Sequence, residues 1–138
     1  MLERKCLEMK EGEECLCEAI DRKVLASLRE LQDAGDPDII AEVGGLFIEH
    51  SPEKIKAILQ AVENSDAKGL QVAAHSLKSS SAYVGAIQLS AMSKELEMMG
   101  RASVMDGAKE KAERLKAEHM RVMTALDAEI KLANELAR

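Results

Sequence analysis

Apolar residues recur every three or four positions along most of the chain, which is the spacing of one face of an α-helix. Helices are predicted over about 13–34, 36–50, 51–63, 66–85 and 86–99, and from 103 onward. Short turns rich in Gly, Asn, Ser and Asp separate these segments, and no alternating pattern indicates a strand. The pattern therefore predicts an all-α fold, an antiparallel four-helix bundle with an additional N-terminal helix.

Helix starts are predicted wherever a capping residue precedes a proline or begins a capping box. These starts are Asp36-Pro37, Ser51-Pro52 and Ser103-x-x-Asp106. Gly85 and Gly100 are predicted to end helices, and Gly44-Gly45 inside a helix predicts close packing against a neighbour. One bundle domain is expected over 20–138, after an N-terminal extension over 1–19 that is partly helical or disordered.

Composition narrows the class of protein. Hydrophobic residues make up 46% of the 138 positions but aromatic residues only 1%, so the core must be aliphatic. The net charge of -6 argues against a nucleic-acid groove or an anionic membrane surface. No apolar run reaches the roughly 18 residues of a spanning helix. The three cysteines, an odd count near the N-terminus, are typical of reduced thiols and favour a cytoplasmic protein.

One helix carries a candidate reactive group. When the 66–85 helix is turned about 100° per residue, its buried stripe comprises Leu70, Ala73, Leu77 and Val84. His75 falls on the opposite face, with Lys78 and Ser79 one turn later. Ala82 and Ala86 continue along the same side. A partner surface could therefore approach His75 without meeting a large side chain.

The residues on this face suit phosphoryl transfer. A neutral imidazole nitrogen is a usable nucleophile near pH 7 and needs no separate base to attack an activated phosphoryl donor. Lys78 can offset negative charge on the transferred group, and Ser79 can donate a hydrogen bond to it. An exposed histidine beside a lysine is also common on plain solvated helices, so the pair alone does not establish a function.

The other candidate sites have simpler structural explanations. His119 lies on the inward stripe of the last helix, where a packed, hydrogen-bonded histidine is expected, and His50 is expected to end its helix near the C-terminal dipole. Cys15-x-Cys17 is too closely spaced for half of a zinc site, and no Glu-x-x-His pair indicates a di-metal bundle. Gly44-Gly45 lacks the spacing and lysine of a phosphate loop, so ATP binding is not expected.

A longer string of residues resembles the signature of histidine phosphotransfer (HPt) domains. The signature residues are Ala74-His75-Ser76-Leu77-Lys78-Ser79 followed by Gly85-Ala86. The resemblance covers about residues 20–126. Upstream of the histidine it includes Phe47 before Ser51-Pro52, and downstream it includes Leu96-Glu97 followed by Gly100-Arg101. Ser79 stands where glycine is common, which slightly narrows the clearance beside His75. Tyr83 stands where asparagine is common and is expected to affect the choice of partner more than the chemistry.

The resemblance implies a phosphocarrier and not an enzyme with a kinase domain. Such a carrier takes a phosphoryl group from a receiver-domain aspartyl phosphate and passes it to another receiver aspartate in a multistep phosphorelay. The resemblance implies that His75 is the phosphoacceptor and that Lys78 stabilises the charge of the phosphoryl group. No cofactor is expected on this chain, because the receiver supplies Mg²⁺. A monomer is expected, because a dimer could cover His75. The receiver is expected to contact the surrounding surface, which comprises Gln71, Ala82, Gly85 and Ala86.

Two other functions stay open at this stage. The same bundle could dock or sequester receiver domains without any chemistry, although the intact His75 and Lys78 pair disfavours this. A kinase dimerisation domain also carries an exposed histidine on a helical hairpin. Such domains usually have an acidic residue where Ser76 stands, and no ATP-binding half is recognised in this sequence.

Overall fold

The computed structural model describes residues 19–31 and 39–136, and these ranges contain five helices. They are α1 (Arg22–Glu30), α2 (Ile39–Glu63), α3 (Ala67–Tyr83), α4 (Ile87–Ala102) and α5 (Ala108–Leu136). No strand occurs in these ranges, which confirms the all-α prediction. The short connections between α2, α3, α4 and α5 make successive helices antiparallel.

Helices α2 to α5 pack in a ring. Helix α3 contacts α2 and α4, α5 contacts the same two helices, and α1 contacts α2. The shared core is aliphatic apart from Phe47, as the composition predicted. Its fully buried large side chains include Ile40, Ile58, Leu70, Leu77, Leu89, Leu96, Leu115, Val122 and Leu126. Residues 1–18 of the predicted N-terminal extension, which include the three cysteines, and the predicted helix start at Asp36-Pro37 lie outside the described residues.

Helix α2 is continuous where two helices were predicted. It runs through Pro52, so the predicted helix start at Ser51-Pro52 was wrong. A proline inside a helix removes one backbone hydrogen bond and costs about 3 kcal/mol. Pro52 is exposed, whereas Phe47 before it and Ile55 after it are buried on the other face, and this burial holds the helix together. His50 consequently lies within α2 and not at a helix end, which corrects that prediction as well.

The turns on either side of α3 agree with the sequence. The Asp66 side chain caps α3 by accepting a hydrogen bond from the Gly69 N–H at 2.9 Å. After α3 the chain turns at Gly85, whose φ of 82° strains any residue with a side chain. The Asp21 N–H donates to the Gly85 carbonyl at 2.7 Å, and a Cβ on Gly85 would lie 2.8 Å from the Asp21 carbonyl oxygen. The chain before α1 is thereby tied to the end of the helix that carries His75.

The junction of α4 and α5 differs from the prediction. Helix α4 continues past Gly100 to a left-handed cap at Ser103, with φ 56°. The N–H of the following residue donates to the Met99 carbonyl at 3.0 Å, as in a Schellman motif. Ser103 therefore ends one helix and does not begin the next, so the predicted capping box with Asp106 was wrong. Helix α5 begins only at Ala108.

Only one glycine of the pair in α2 packs closely against another helix in the described residues. A Cβ on Gly44 would lie 3.1 Å from the Ile130 side chain of α5, whereas one on Gly45 would meet nothing within 4 Å. The predicted close packing is therefore confirmed for Gly44 alone. None of the helices in the described ranges combines the length and the hydropathy that crossing a membrane requires.

Candidate functional site

His75 lies near the middle of α3, and 61% of its side chain is exposed. Leu70, Ala74 and Leu77 on the other face of the helix are fully buried. The predicted outward orientation of His75 is therefore confirmed. The core stripe differs at two positions, because Ala74 is buried in place of Ala73, which is half-buried, and because Ser81 is buried as well.

A buried carboxylate from α4 joins His75 to Lys78. Glu97 Oε2 lies 2.5 Å from His75 Nδ1, and Glu97 Oε1 lies 2.6 Å from Lys78 Nζ. Only 4% of the Glu97 side chain is exposed, against 29% of Lys78. Two basic groups one turn apart on α3 thus share the two oxygens of one carboxylate. From the sequence, Glu97 was recognised only within the resemblance to HPt domains, and no role was predicted for it.

The contacts of Glu97 determine the proton positions in the cluster. The hydrogen bond from Lys78 lowers the pKa of the Glu97 carboxyl, and the one from His75 lowers it further, although burial acts in the opposite direction. Glu97 is therefore ionised, and an ionised carboxylate only accepts hydrogen bonds. Nδ1 of His75 must carry the proton that it donates to Glu97. Nε2 of the neutral ring is then left with a free lone pair.

The charges around the ring favour an anionic group at Nε2. Lys78 lies one turn from His75 on the same helix, and the Arg101 guanidinium lies 3.9 Å from Glu97 Oε2 at the exposed edge of the cluster. Glu97 holds the ring in one orientation while these two cations stand beside it. The arrangement supplies a fixed nucleophile with positive charge close by, which is what attack on a phosphoryl group requires.

The other residues predicted around His75 separate into two groups. Ser79 and Ala82 are exposed and Gln71 is half-buried, so all three can be reached from the side of α3 that carries His75. Ala86 is fully buried and Gly85 is also buried, so their predicted place on a partner-binding surface was wrong. The reason is that α3 ends at Tyr83, so the helical spacing that predicts an exposed Ala86 does not continue through the turn at Gly85.

An apolar groove, the α2–α3 groove, opens beside His75. Its lining includes Leu46, Phe47, Val72, Ala73, Tyr83 and Val84, together with Ser76 and Ser79 next to the histidine. Leu46, Val72 and Tyr83 are each more than half exposed. Lys54 of α2 donates a hydrogen bond to Ser80 of α3. Clustered apolar exposure beside a reactive side chain is typical of a surface that binds another protein.

The other two histidines lie on α2 and α5 and have different surroundings. His119 is buried, with Nε2 2.7 Å from Ser51 Oγ, which confirms the predicted packed and hydrogen-bonded histidine. Burial lowers the pKa of His119 and raises the pKa of the neighbouring Glu118, one oxygen of which accepts from Arg121. His50 is exposed on α2. Within the described ranges, no three His, Cys, Asp or Glu side chains form a group that could hold a metal ion.

Comparison with known proteins agrees with this geometry. A family model described as "Hpt domain" matches residues 42–133. Histidine-containing phosphotransfer protein 4 of Arabidopsis thaliana is 30% identical over 115 residues, which are 82% of this chain and 90% of that protein. Histidine-containing phosphotransfer protein 5 of the same plant is 41% identical over 64 residues, but the match spans only 44% of this chain and 41% of that protein.

A solved structure has the same fold. The crystal structure of histidine-containing phosphotransfer protein B (HptB) from Pseudomonas aeruginosa PAO1 superposes with a TM-score of 0.75 at 29% identity. The superposition covers 82% of this chain and 95% of that chain. The helical-bundle prediction is therefore confirmed by the helices themselves and by this match.

Proposed function

Because this chain belongs to the Hpt domain family, we propose that it is a histidine phosphotransfer protein whose phosphoacceptor is His75. His75 accepts a phosphoryl group from the aspartyl phosphate of one receiver domain and passes it to the aspartate of another in a multistep phosphorelay. The chain acts as a carrier and does not itself use ATP. The observation that carries this proposal is the His75–Glu97–Lys78 cluster, which leaves Nε2 of an exposed histidine free to react.

Transfer begins with in-line attack of the His75 Nε2 lone pair on the phosphorus atom. The N–P bond forms as the bond between phosphorus and the aspartyl oxygen breaks, and the aspartate leaves as a carboxylate. Nε2 carries no proton before the attack, so none has to be removed. Glu97 stabilises the positive charge that develops on the ring, and Lys78 offsets negative charge on the phosphoryl oxygens. The reverse path transfers the group to the next receiver.

The receiver docks over His75 and the α2–α3 groove in this proposal. Leu46, Val72 and Tyr83 offer apolar contact there, and the exposed Ala82 leaves the approach to the histidine open. We expect a buried area at or below the usual range of about 1,200–2,000 Å², because signalling pairs must separate. Mg²⁺ is expected on the receiver. The protein is a cytoplasmic monomer in this proposal, because a monomer leaves this face free.

Labelled phosphoryl transfer tests the proposal. A receiver prephosphorylated on its aspartate is mixed with the wild type, His75→Gln and His50→Gln. The last is a control for the identity of the acceptor, because it removes an exposed histidine that lines the α2–α3 groove. The wild type and His50→Gln should take up acid-labile, alkali-stable label, and His75→Gln should take up none while keeping its helical content. Label on His75→Gln would contradict the proposal. Receiver binding without label on any variant would favour a docking bundle that performs no chemistry.

A further inference from the structure

Helices α3 and α4 approach each other very closely at Gly100. A Cβ placed there would lie 2.6 Å from the Ala67 carbonyl oxygen, 2.7 Å from the Gln71 backbone nitrogen and 3.0 Å from the Gln71 Cα. Side chains do not tolerate contacts this short. All three atoms belong to the α3 backbone, so they cannot swing aside as the end of a flexible side chain would. Any side chain at position 100 must move α4 away from α3.

This close approach lies one helical turn from the reactive cluster on both helices. Gly100 follows Glu97 by three residues on α4, and Gln71 precedes His75 by four residues on α3. Positions three or four apart on a helix lie on the same face. The glycine contact and the His75–Glu97 contact are therefore consecutive contacts along one helix–helix interface.

We propose that Gly100 is a positioning residue for phosphoryl transfer, because its missing side chain brings Glu97 of α4 within reach of His75 and Lys78. This inference rests on the proposed role of His75. The His75 Nδ1–Glu97 Oε2 distance is 2.5 Å and the Lys78 Nζ–Glu97 Oε1 distance is 2.6 Å, and hydrogen bonds of this kind weaken once they exceed about 3.2 Å. A Cβ at position 100 would lie 2.6 Å from the Ala67 carbonyl oxygen, and ordinary contact begins at 3.4 Å, so the helices must separate by about 0.8 Å. An equal separation at Glu97 lengthens both hydrogen bonds beyond the limit of about 3.2 Å. The His75 ring is then no longer held in one tautomer, and the Lys78 ammonium is no longer positioned by Glu97.

The chain provides a matched control for this substitution. Gly45 also lies within a helix, but a Cβ there meets nothing within 4 Å. Gly100→Ala and Gly45→Ala make the same chemical change and the same gain in helix propensity, and only the first changes the spacing of two helices. Gly45→Ala should raise the thermal midpoint and leave the transfer rate unchanged.

The experiment measures the maximal rate of labelling by a phosphorylated receiver, together with the ¹⁵N shifts of the His75 ring in the unphosphorylated protein. Gly100→Ala should lower the maximal rate about tenfold, since a misplacement of about 1 Å can cost roughly 100-fold. The receiver concentration that gives half the maximal rate should stay within about twofold, because docking is unaffected. The Nδ1 resonance should lose the signature of its hydrogen bond to Glu97.

A double-mutant cycle separates this role from a general effect on the fold. In a Glu97→Ala background, Gly100→Ala should slow transfer by less than about twofold, because the group through which it acts is gone. An equal slowing in both backgrounds, or a wild-type rate for folded Gly100→Ala, would overturn the inference. If Gly100→Ala does not fold, Glu97→Asp withdraws the carboxylate by one methylene with the helices in place. A wild-type rate for Glu97→Asp would likewise overturn it.

Failure of the proposed function would be recognised separately. If the wild type takes no label from any receiver, the role of His75 as phosphoacceptor is wrong. The ¹⁵N comparison of the wild type with Gly100→Ala still decides whether Gly100 sets the His75–Glu97 contact, since it needs no phosphate. Identical ring shifts in the two proteins would then reject the inference.

Discussion

His75 Nδ1 lies 2.5 Å from Glu97 Oε2, and this contact decides which nitrogen of the exposed imidazole is free. The carboxylate comes from the neighbouring helix and is buried, so it holds the ring from its buried side while Nε2 stays accessible. Lys78 occupies the other oxygen of the same carboxylate. One side chain therefore sets the tautomer of the nucleophile and the position of the nearest cation.

Removal of Glu97 should slow phosphoryl transfer without removing the phosphoacceptor. We expect Glu97→Ala to lower the single-turnover rate about 10- to 100-fold. Losses of about this size follow the removal of the hydrogen-bond partner that orients a histidine in metal sites. Glu97→Gln should lose less than about tenfold, because its amide oxygen still accepts the bond from Nδ1. Glu95→Ala is the matched control, since Glu95 is exposed on the same helix and pairs with Lys111. Equal rates for Glu97→Ala and the control would contradict this role.

Replacement of Lys78 should weaken transfer through lost positive charge. We expect Lys78→Ala to reduce the labelling rate about 10- to 100-fold, because the phosphoryl oxygens lose a nearby cation. Lys78→Arg should recover part of the rate, because it keeps a positive charge there. Quench-flow labelling with a phosphorylated receiver measures these rates. Lys116→Ala, a change at an exposed lysine on α5, should match the wild type. A normal rate for Lys78→Ala would remove Lys78 from the mechanism.

The stability that Glu97 contributes should depend on pH in one direction. The hydrogen bond from Lys78 lowers the pKa of Glu97 in the folded chain, so the unfolded chain binds a proton first as the pH falls. The contribution is complete above the ordinary glutamate pKa of about 4.3 and is lost as the pH falls through the lower folded-state value. Urea unfolding at several pH values should therefore show the wild type and Glu97→Gln converging on acidification. A difference that is constant or grows towards low pH would be the contrary result.

The buried pair of Ser51 and His119 should matter for stability. Ser51→Ala leaves the Nε2 atom of a buried imidazole without its partner at 2.7 Å, which should cost about 1–3 kcal/mol in the free energy of unfolding. Ser27→Ala is the control, because the Ser27 hydroxyl is exposed and donates a hydrogen bond to the Lys23 carbonyl four residues earlier. Its cost should stay below about 0.5 kcal/mol in chemical denaturation. Equal costs for the two variants would argue that the Ser51–His119 bond contributes nothing.

Helical periodicity accounts for most of what the sequence predicted correctly. The outward face of His75 and the inward place of His119 both follow from residues three and four apart on regular helices, and the structure has both. The same rule failed at Ala86, because the turn at Gly85 ends the helix whose spacing was being extended. Within a helix, periodicity therefore identifies the buried face to within one residue, as the exchange of Ala73 for Ala74 shows, and it no longer applies beyond the end of the helix.

Contacts between helices could not be derived from that rule. Glu97 lies on the buried side of α4, but its partners are 19 and 22 residues away on another helix, and no local pattern specifies them. The strong local preference of Pro52 predicts a helix start, whereas burial of the opposite face of α2 keeps that helix continuous. Both cases depend on tertiary packing, which a single sequence does not display.

Magnetic resonance of the phosphorylated protein with ¹⁵N-labelled histidine tests the central claim most directly, because it identifies the atom that carries the phosphoryl group. The account predicts phosphorus bonded to Nε2 of His75, with Nδ1 protonated and still hydrogen-bonded to Glu97. Phosphorus on Nδ1 of His75, or on His50 or His119, would contradict the account.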